Sequence, residues 1–227
     1  MVNAATRRLF VAGPAGRLEC ALDEPAGEPV GTALLCHPHP QHGGTMDNKV
    51  VQTLARAFVL CGWRSLRFNF RGVGGSEGSW DEGRGEIDDA QAALAAAGTD
   101  ASRPLALGGF SFGGYVASRL AERLREPAGP ERLLVLVAPA VVNFPMAPVP
   151  ASTLVVHGEA DDVVPLAAML DWARPVALPV TVLPGVGHFF HGQLHALRQI
   201  VVRHLQAVAP AALRASPTGH AAPIAGA

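Results

Sequence analysis

The stretch from Leu105 to Leu124, LALGGFSFGGYVASRLAERL, leaves the chain the least conformational freedom. A short apolar run ends in two glycines, Ser111 stands alone between Gly109 and Gly113, and an amphipathic helical pattern begins at once. The pattern predicts a strand, a sharp turn and a helix, with the serine at the apex. Such a turn holds its central residue at positive φ, so the residues two before and two after must be small enough for strand and helix to pass closely. Gly109 and Gly113 meet that requirement. The Ser111 side chain then projects from the carboxyl end of a strand, and the next backbone N–H, that of Phe112, points into the same space. On five residues alone, an acyl-transfer site competes with an ordinary glycine-rich strand-to-helix connection, and the surrounding chain has to decide between them.

Reading outward, Leu9–Val11 and Arg17–Leu22 flank a Gly-Pro-Ala-Gly turn, and the second run alternates apolar and polar residues. This predicts an antiparallel hairpin at a sheet edge. From Gly31 the grammar changes. Continuous apolar runs at 33–36, 105–107, 133–137, 154–156 and 180–183 alternate with helical patterns, while Leu66, Phe68 and Phe70 mark a strand of period two. The helical stripes are Val50, Val51, Leu54 and Phe58; Ile87, Ala90 and Leu94; Val116, Ala117, Leu120 and Leu124; and Leu194, Leu197, Val201 and Leu205, with a further helix start at Pro165. The expected fold class is α/β: a mostly parallel sheet of about eight strands with helices on both faces. Ligands of such sheets sit at the carboxyl ends of the strands, where Ser111 falls.

At 227 residues the chain fits one sizeable domain, assigned here to residues 1–207. Residues 208–227 are rich in Ala and Pro and read as a flexible tail. The fifteen residues from Ala138 to Ser152 hold four prolines, so no cap domain is expected between the flanking strands. Eighteen basic against nineteen acidic residues give a net charge of −1, which offers no long-range attraction to nucleic acid or to an anionic membrane. No run approaches the ~18 apolar residues of a membrane span, and the amino terminus lacks a signal-type apolar core. A cytoplasmic location is expected. Cys20, Cys36 and Cys61 lack metal-type spacing and read as reduced thiols.

A serine hydroxyl needs a histidine to take its proton, and that histidine needs a carboxylate to fix its tautomer. Both types of residue follow later strands. After the run at 154–156 come Glu159, Asp161 and Asp162, and after the run at 180–183 comes His188. The elbow GFSFG, the segment HGEADDVVP and the segment GVGHFF, in that order, resemble the α/β-hydrolase superfamily over roughly residues 7–207. HPHPQHGGTMDNKVV and RFNFRGVGGSEG further resemble a small bacterial group of hydrolases without a cap, treated as serine esterases. The resemblance implies a triad of Ser111, Asp161 and His188. It favours Asp161 over Asp162 because the family pattern sets the acid three residues after a glycine, here Gly158, with a valine three further on, here Val164.

The resemblance also places the second oxyanion donor, beside the Phe112 N–H, in the loop from His37 to His42. Pro38 and Pro40 have no N–H to give. His39 is the candidate and Gln41 the fallback. The short, proline-rich connection implies an open site, with Phe144, Met146 and Phe189 as candidate substrate contacts. The expected reaction is hydrolysis of short-chain acyl esters through an acyl-enzyme, without cofactor or metal. A thioesterase or peptidase would use the same residues. A non-catalytic binding protein on this fold would not require all three. The expected partner is a small-molecule ester, with neither nucleic acid nor membrane, and a homodimer stays open as an assembly.

Other patterns are weaker. His37, His39 and His42 resemble an HxHxDH metal motif, but Gln41 replaces its acid. His191 and His195 have zincin spacing, but Gly192 stands where a glutamate belongs. The glycines from Gly72 to Gly75 do not complete GxGxxG, and Arg71 is expected to pair with Glu77 or Glu86 in a structural loop.

Overall fold

The protein is described as a computed structural model covering residues 6–98, 103–125 and 132–208. All but the first residue of the expected tail lies outside these. Among the described residues eight strands form one sheet: β1 (Arg7–Gly13), β2 (Gly16–Asp23), β3 (Thr32–Cys36), β4 (Arg64–Phe68), β5 (Leu105–Phe110), β6 (Leu133–Val137), β7 (Leu154–Gly158) and β8 (Val180–Leu183). Their spatial order is β1-β2-β4-β3-β5-β6-β7-β8. β2 runs antiparallel to the strands on either side of it, and pairs with β1 in the expected edge hairpin with Gly13 opposite Gly16. The fold is that of a capless α/β hydrolase, and the segment from Ala138 to Ser152 contains turns and extended chain but no helix or strand.

Among the described residues five helices cover the sheet: α1 (Lys49–Leu60), α2 (Arg84–Ala96), α3 (Phe112–Arg123), α4 (Leu166–Ala173) and α5 (Leu194–Val208). Strand alternation sorts them into two layers. Leu34, Leu134 and Leu136 face a core shared with α2, α3 and α4. Ala33, Leu35, Val135 and Val137 face a second core, filled by Val51, Leu54 and Phe58 of α1 and by Leu197, Val201 and Leu205 of α5. Burying a side chain such as Phe58 completely stabilises the fold by about 1.5 to 3 kcal/mol, so these stripes hold the helices to the sheet. Helix α1 begins where the Asn48 side chain accepts the Val50 N–H at 2.9 Å. The cysteines are free thiols, and burial, with Glu19 adding to it, pushes Cys20 up to about 12.

Two local expectations are corrected. Phe70 does not continue the strand of Leu66 and Phe68: the ladder stops at Phe68, and the Phe70 N–H goes to His37 Nε2 at 3.0 Å. Arg71 pairs with neither Glu77 nor Glu86. Its guanidinium clamps Asp89 at 2.8 and 2.9 Å and also donates to the Gly85 carbonyl at 2.7 Å. Glu86 is occupied as the cap of α2, accepting the Asp81 and Gly83 N–H groups, and Glu77 accepts the Arg17 N–H. The resulting buried pair ties the loop after β4 to α2.

Candidate active site

Ser111 links β5 to α3 at φ 54° and ψ −119°. Its own backbone is gripped on both sides: the N–H donates to the Val137 carbonyl at 3.0 Å, and the carbonyl accepts the N–H groups of Gly114 at 2.9 Å and Ala140 at 3.2 Å. A non-glycine residue in this conformation is strained by about 1 to 3 kcal/mol and persists only where its surroundings over-determine it. The two flanking glycines are required sterically. A Cβ on Gly109 would run into the Gly113 carbonyl, and one on Gly113 would meet the carbonyls of Cys36 and His37. The elbow is therefore pressed against the end of β3.

His188 and Asp161 meet in the loops after β8 and β7. His188 Nδ1 donates to Asp161 Oδ2 at 2.7 Å, and Asp161 Oδ1 accepts the N–H groups of Val163 at 2.9 Å and Val164 at 2.7 Å. Burial alone would raise the Asp161 pKa, but these hydrogen bonds, led by that of His188, outweigh it and hold the carboxyl below its usual value. An ionised Asp161 fixes the His188 proton on Nδ1 and leaves Nε2 with a free lone pair, the form a general base needs. The His188 ring lies 4.9 Å from that of Phe110, the residue before Ser111. Ser111, Asp161 and His188 are 8%, 5% and 3% exposed, and each follows a strand at the carboxyl edge of the sheet.

The other two carboxylates of the Asp161 loop are employed differently. Glu159 accepts the Gly185 N–H at 2.8 Å, which braces the His188 loop, and Asp162 is exposed.

In the loop after β3, His37 is fully buried, with Nδ1 2.6 Å from the Pro38 carbonyl and Nε2 accepting from Phe70. Both ring nitrogens are engaged, and burial lowers its pKa to about 3, so the ring is neutral. It serves as a brace for the loop rather than as a ligand. The Gln41 N–H donates to His39 Nδ1 at 3.2 Å, whereas the His39 N–H has no hydrogen-bond partner among the described residues. His39, with its pKa lowered by burial and by His42, stacks at 4.5 Å on Trp80 and lies 5.2 Å from the Phe112 ring.

The three expected substrate contacts separate. Phe144 joins the rings of Phe112 and Tyr115, both at 5.0 Å, on the side of the elbow where His39 lies. Phe189, 48% exposed, flanks His188 and borders an open depression of about 480 Å³ that Val163 and Gln193 also line. Met146 does not join the site: its sulfur rests 3.9 Å from Ser118 Oγ, two turns along α3 and roughly 10 Å from the elbow. Trp80 and Tyr115 were not anticipated. Trp80 lies in the loop between β4 and α2, at the same edge of the sheet as Ser111, and that position is the signal that could have found it.

Fold, strained elbow and histidine–carboxylate pair together define an α/β serine hydrolase. The model of the family described as serine aminopeptidase, S33 matches residues 29–152, more than half of the chain, and the chain belongs to that family of hydrolases. The match includes Ser111 and ends before Asp161. An α/β serine hydrolase without lid from Xanthomonas campestris is 36% identical, with 93% of this chain and 98% of that one covered at a TM-score of 0.83. An α/β serine hydrolase homologue from Coxiella burnetii is 39% identical, with 90% and 98% covered at 0.77. An uncharacterised protein of Rickettsia prowazekii is 32% identical over 81% of this chain and 82% of its own length.

Proposed function

We propose that the protein is a serine carboxylesterase that cleaves short-chain acyl esters through an acyl-enzyme. Ser111 Oγ attacks the ester carbonyl while His188 Nε2 takes its proton. The N–H groups of Phe112 and His39 hold the developing oxyanion. The protonated His188, stabilised by Asp161, gives its proton to the departing alcohol, and a water activated by the same histidine then releases the acid. Every proton passes through His188, so the cycle needs no cofactor.

The observation that carries this reading is the 2.7 Å bond between His188 and Asp161, with the His188 ring against the residue that precedes the strained Ser111. Short acyl groups are favoured because no cap covers the site among the described residues and the acyl side is walled by the rings of His39, Trp80 and Phe144. The name of the matched family favours a second reading, in which the same residues cleave an amino-terminal peptide bond. A fluorophosphonate should label Ser111 in the wild type and fail to label Ser111→Ala. Unlabelled wild-type protein would remove the serine mechanism. A chain-length series of p-nitrophenyl esters, set beside an acyl-CoA and an aminoacyl amide, then decides among esterase, thioesterase and aminopeptidase.

A further inference from the structure

His157 lies on β7 directly beneath the Asp161 turn, is fully buried, and has no part in the steps above. Its Nε2 stands 2.9 Å from the Val164 carbonyl. A carbonyl only accepts, so Nε2 carries the proton. The Val164 N–H in turn donates to Asp161 Oδ1 at 2.7 Å. Val164 is thus held at both ends, by the carboxylate it orients and by a side chain rooted in the sheet, where His157 stands opposite Val182 of β8. His157 Nε2 is also 3.7 Å from Asp161 Oδ2, the oxygen that accepts the hydrogen bond from His188 Nδ1.

The other nitrogen, Nδ1, is buried and has no hydrogen-bond partner. An apolar side chain of similar size would fill the space without stranding a polar atom, so packing does not account for a histidine here. Protonation at Nδ1 would set a second positive charge against the carboxylate that must stabilise His188. Burial works against it, lowering the His157 pKa more than the Val164 bond and Asp161 raise it, and His188 adds to the lowering.

We propose that His157 is a positioning residue: locked as the neutral Nε2–H tautomer, it fixes the Asp161–Val164 turn to the sheet and so aims Asp161 at His188. This rests on the assignment of Asp161 and His188 to the serine hydrolase mechanism. Removing the bond leaves the substrate contacts in place but lets the acid swing, so turnover should suffer and substrate affinity should not.

In His157→Leu, kcat on a p-nitrophenyl ester should fall about 10- to 100-fold, as loss of a group behind a reacting residue does elsewhere, with KM changed less than about twofold. The low-field proton resonance of the His188 Nδ1–H should broaden or vanish. His157→Gln, whose amide can reach the Val164 carbonyl, should recover both to within about threefold. A folded His157→Leu with wild-type kcat and an unaltered low-field proton would overturn the proposal, as would a His157→Gln no better than His157→Leu. Two readouts need no substrate and no turnover: the low-field proton, and ¹⁵N shifts of His157 in the wild type. They keep this test separate from that of esterase activity. The ¹⁵N shifts should report a neutral Nε2–H ring at about pH 7 to 8, and an Nδ1–H tautomer there would refute the assignment even if His157→Leu did not fold.

Discussion

Replacing His37 by glutamine should flatten the acid side of the protein's stability curve. In the fold, burial lowers the His37 pKa from its ordinary 6.5 to about 3, against the opposing effect of its bond to Pro38. The folded value lies below the unfolded one, so between them the unfolded chain binds a proton that the native protein does not. Stability from this residue is therefore complete above about pH 6.5 and drains as the pH falls towards 3, at about 1.4 kcal/mol per pH unit. Between about pH 8 and 4.5 the loss is roughly 2.7 kcal/mol, a large share of the ~5 to 15 kcal/mol of a typical domain. Glutamine keeps an acceptor for the Phe70 N–H but forfeits the bond to Pro38, which should cost about 1 kcal/mol at neutral pH. The two stability curves should cross near pH 5.5 to 6, with the variant the more stable below it. Urea unfolding of both proteins at half-unit pH steps reads this directly, because every other titrating group cancels in the difference. Parallel curves would refute the assignment of His37 as a buried neutral brace.

Ser111→Ala or His188→Ala should lower turnover by about 10⁴- to 10⁶-fold in a steady-state ester assay, with the far-ultraviolet spectrum unchanged. Ser111→Gly should be inactive yet raise the melting temperature, since relief of about 1 to 3 kcal/mol of backbone strain exceeds the ~0.5 to 1 kcal/mol that glycine loses in chain entropy. Asp89→Ala leaves the guanidinium of Arg71 without its buried partner and should cost about 3 to 5 kcal/mol by urea unfolding, with KM altered only through the loop after β4. For Asp161, whose folded pKa is depressed, the stabilisation is present above the unfolded value of about 3.9 and is lost as the pH falls through the folded one. Asp161→Asn should therefore be less stable than the wild type at pH 7 and converge with it in acid.

The elbow was legible because its cause is local: a serine at positive φ dictates small residues two places away, and those places can be read without knowing the rest of the chain. The alternation of buried strands and amphipathic stripes was equally plain, since each strand between two helical layers must be apolar on both faces. What failed were choices among like residues. Arg71 had three carboxylates within reach, and spacing could not show that Glu86 is consumed by the cap of α2 and Glu77 by Arg17, which leaves Asp89, one helical turn on, to take the guanidinium. Phe70 kept the period of its strand but lost its ladder partner to the side chain of His37, thirty-three residues earlier.

The same distinction separates the reaction from its substrate. Ser111, Asp161 and His188 each follow a strand of one sheet, so the register of β5, β7 and β8 brings them to one edge whatever the loops do. The walls around them have no such guarantee. His39 comes from the loop after β3, Trp80 from the loop after β4 and Phe144 from the loop after β6, and they meet only because their rings stack on one another and on Phe112. Phe112 ties the two levels together: in the proposed mechanism its N–H holds the oxyanion, and its buried ring packs against the rings of His39, Trp80 and Phe144. A change at Trp80 or Phe144 should therefore redistribute chain-length preference while leaving the rate of fluorophosphonate labelling at Ser111 nearly constant, whereas truncating Phe112 should disturb both at once.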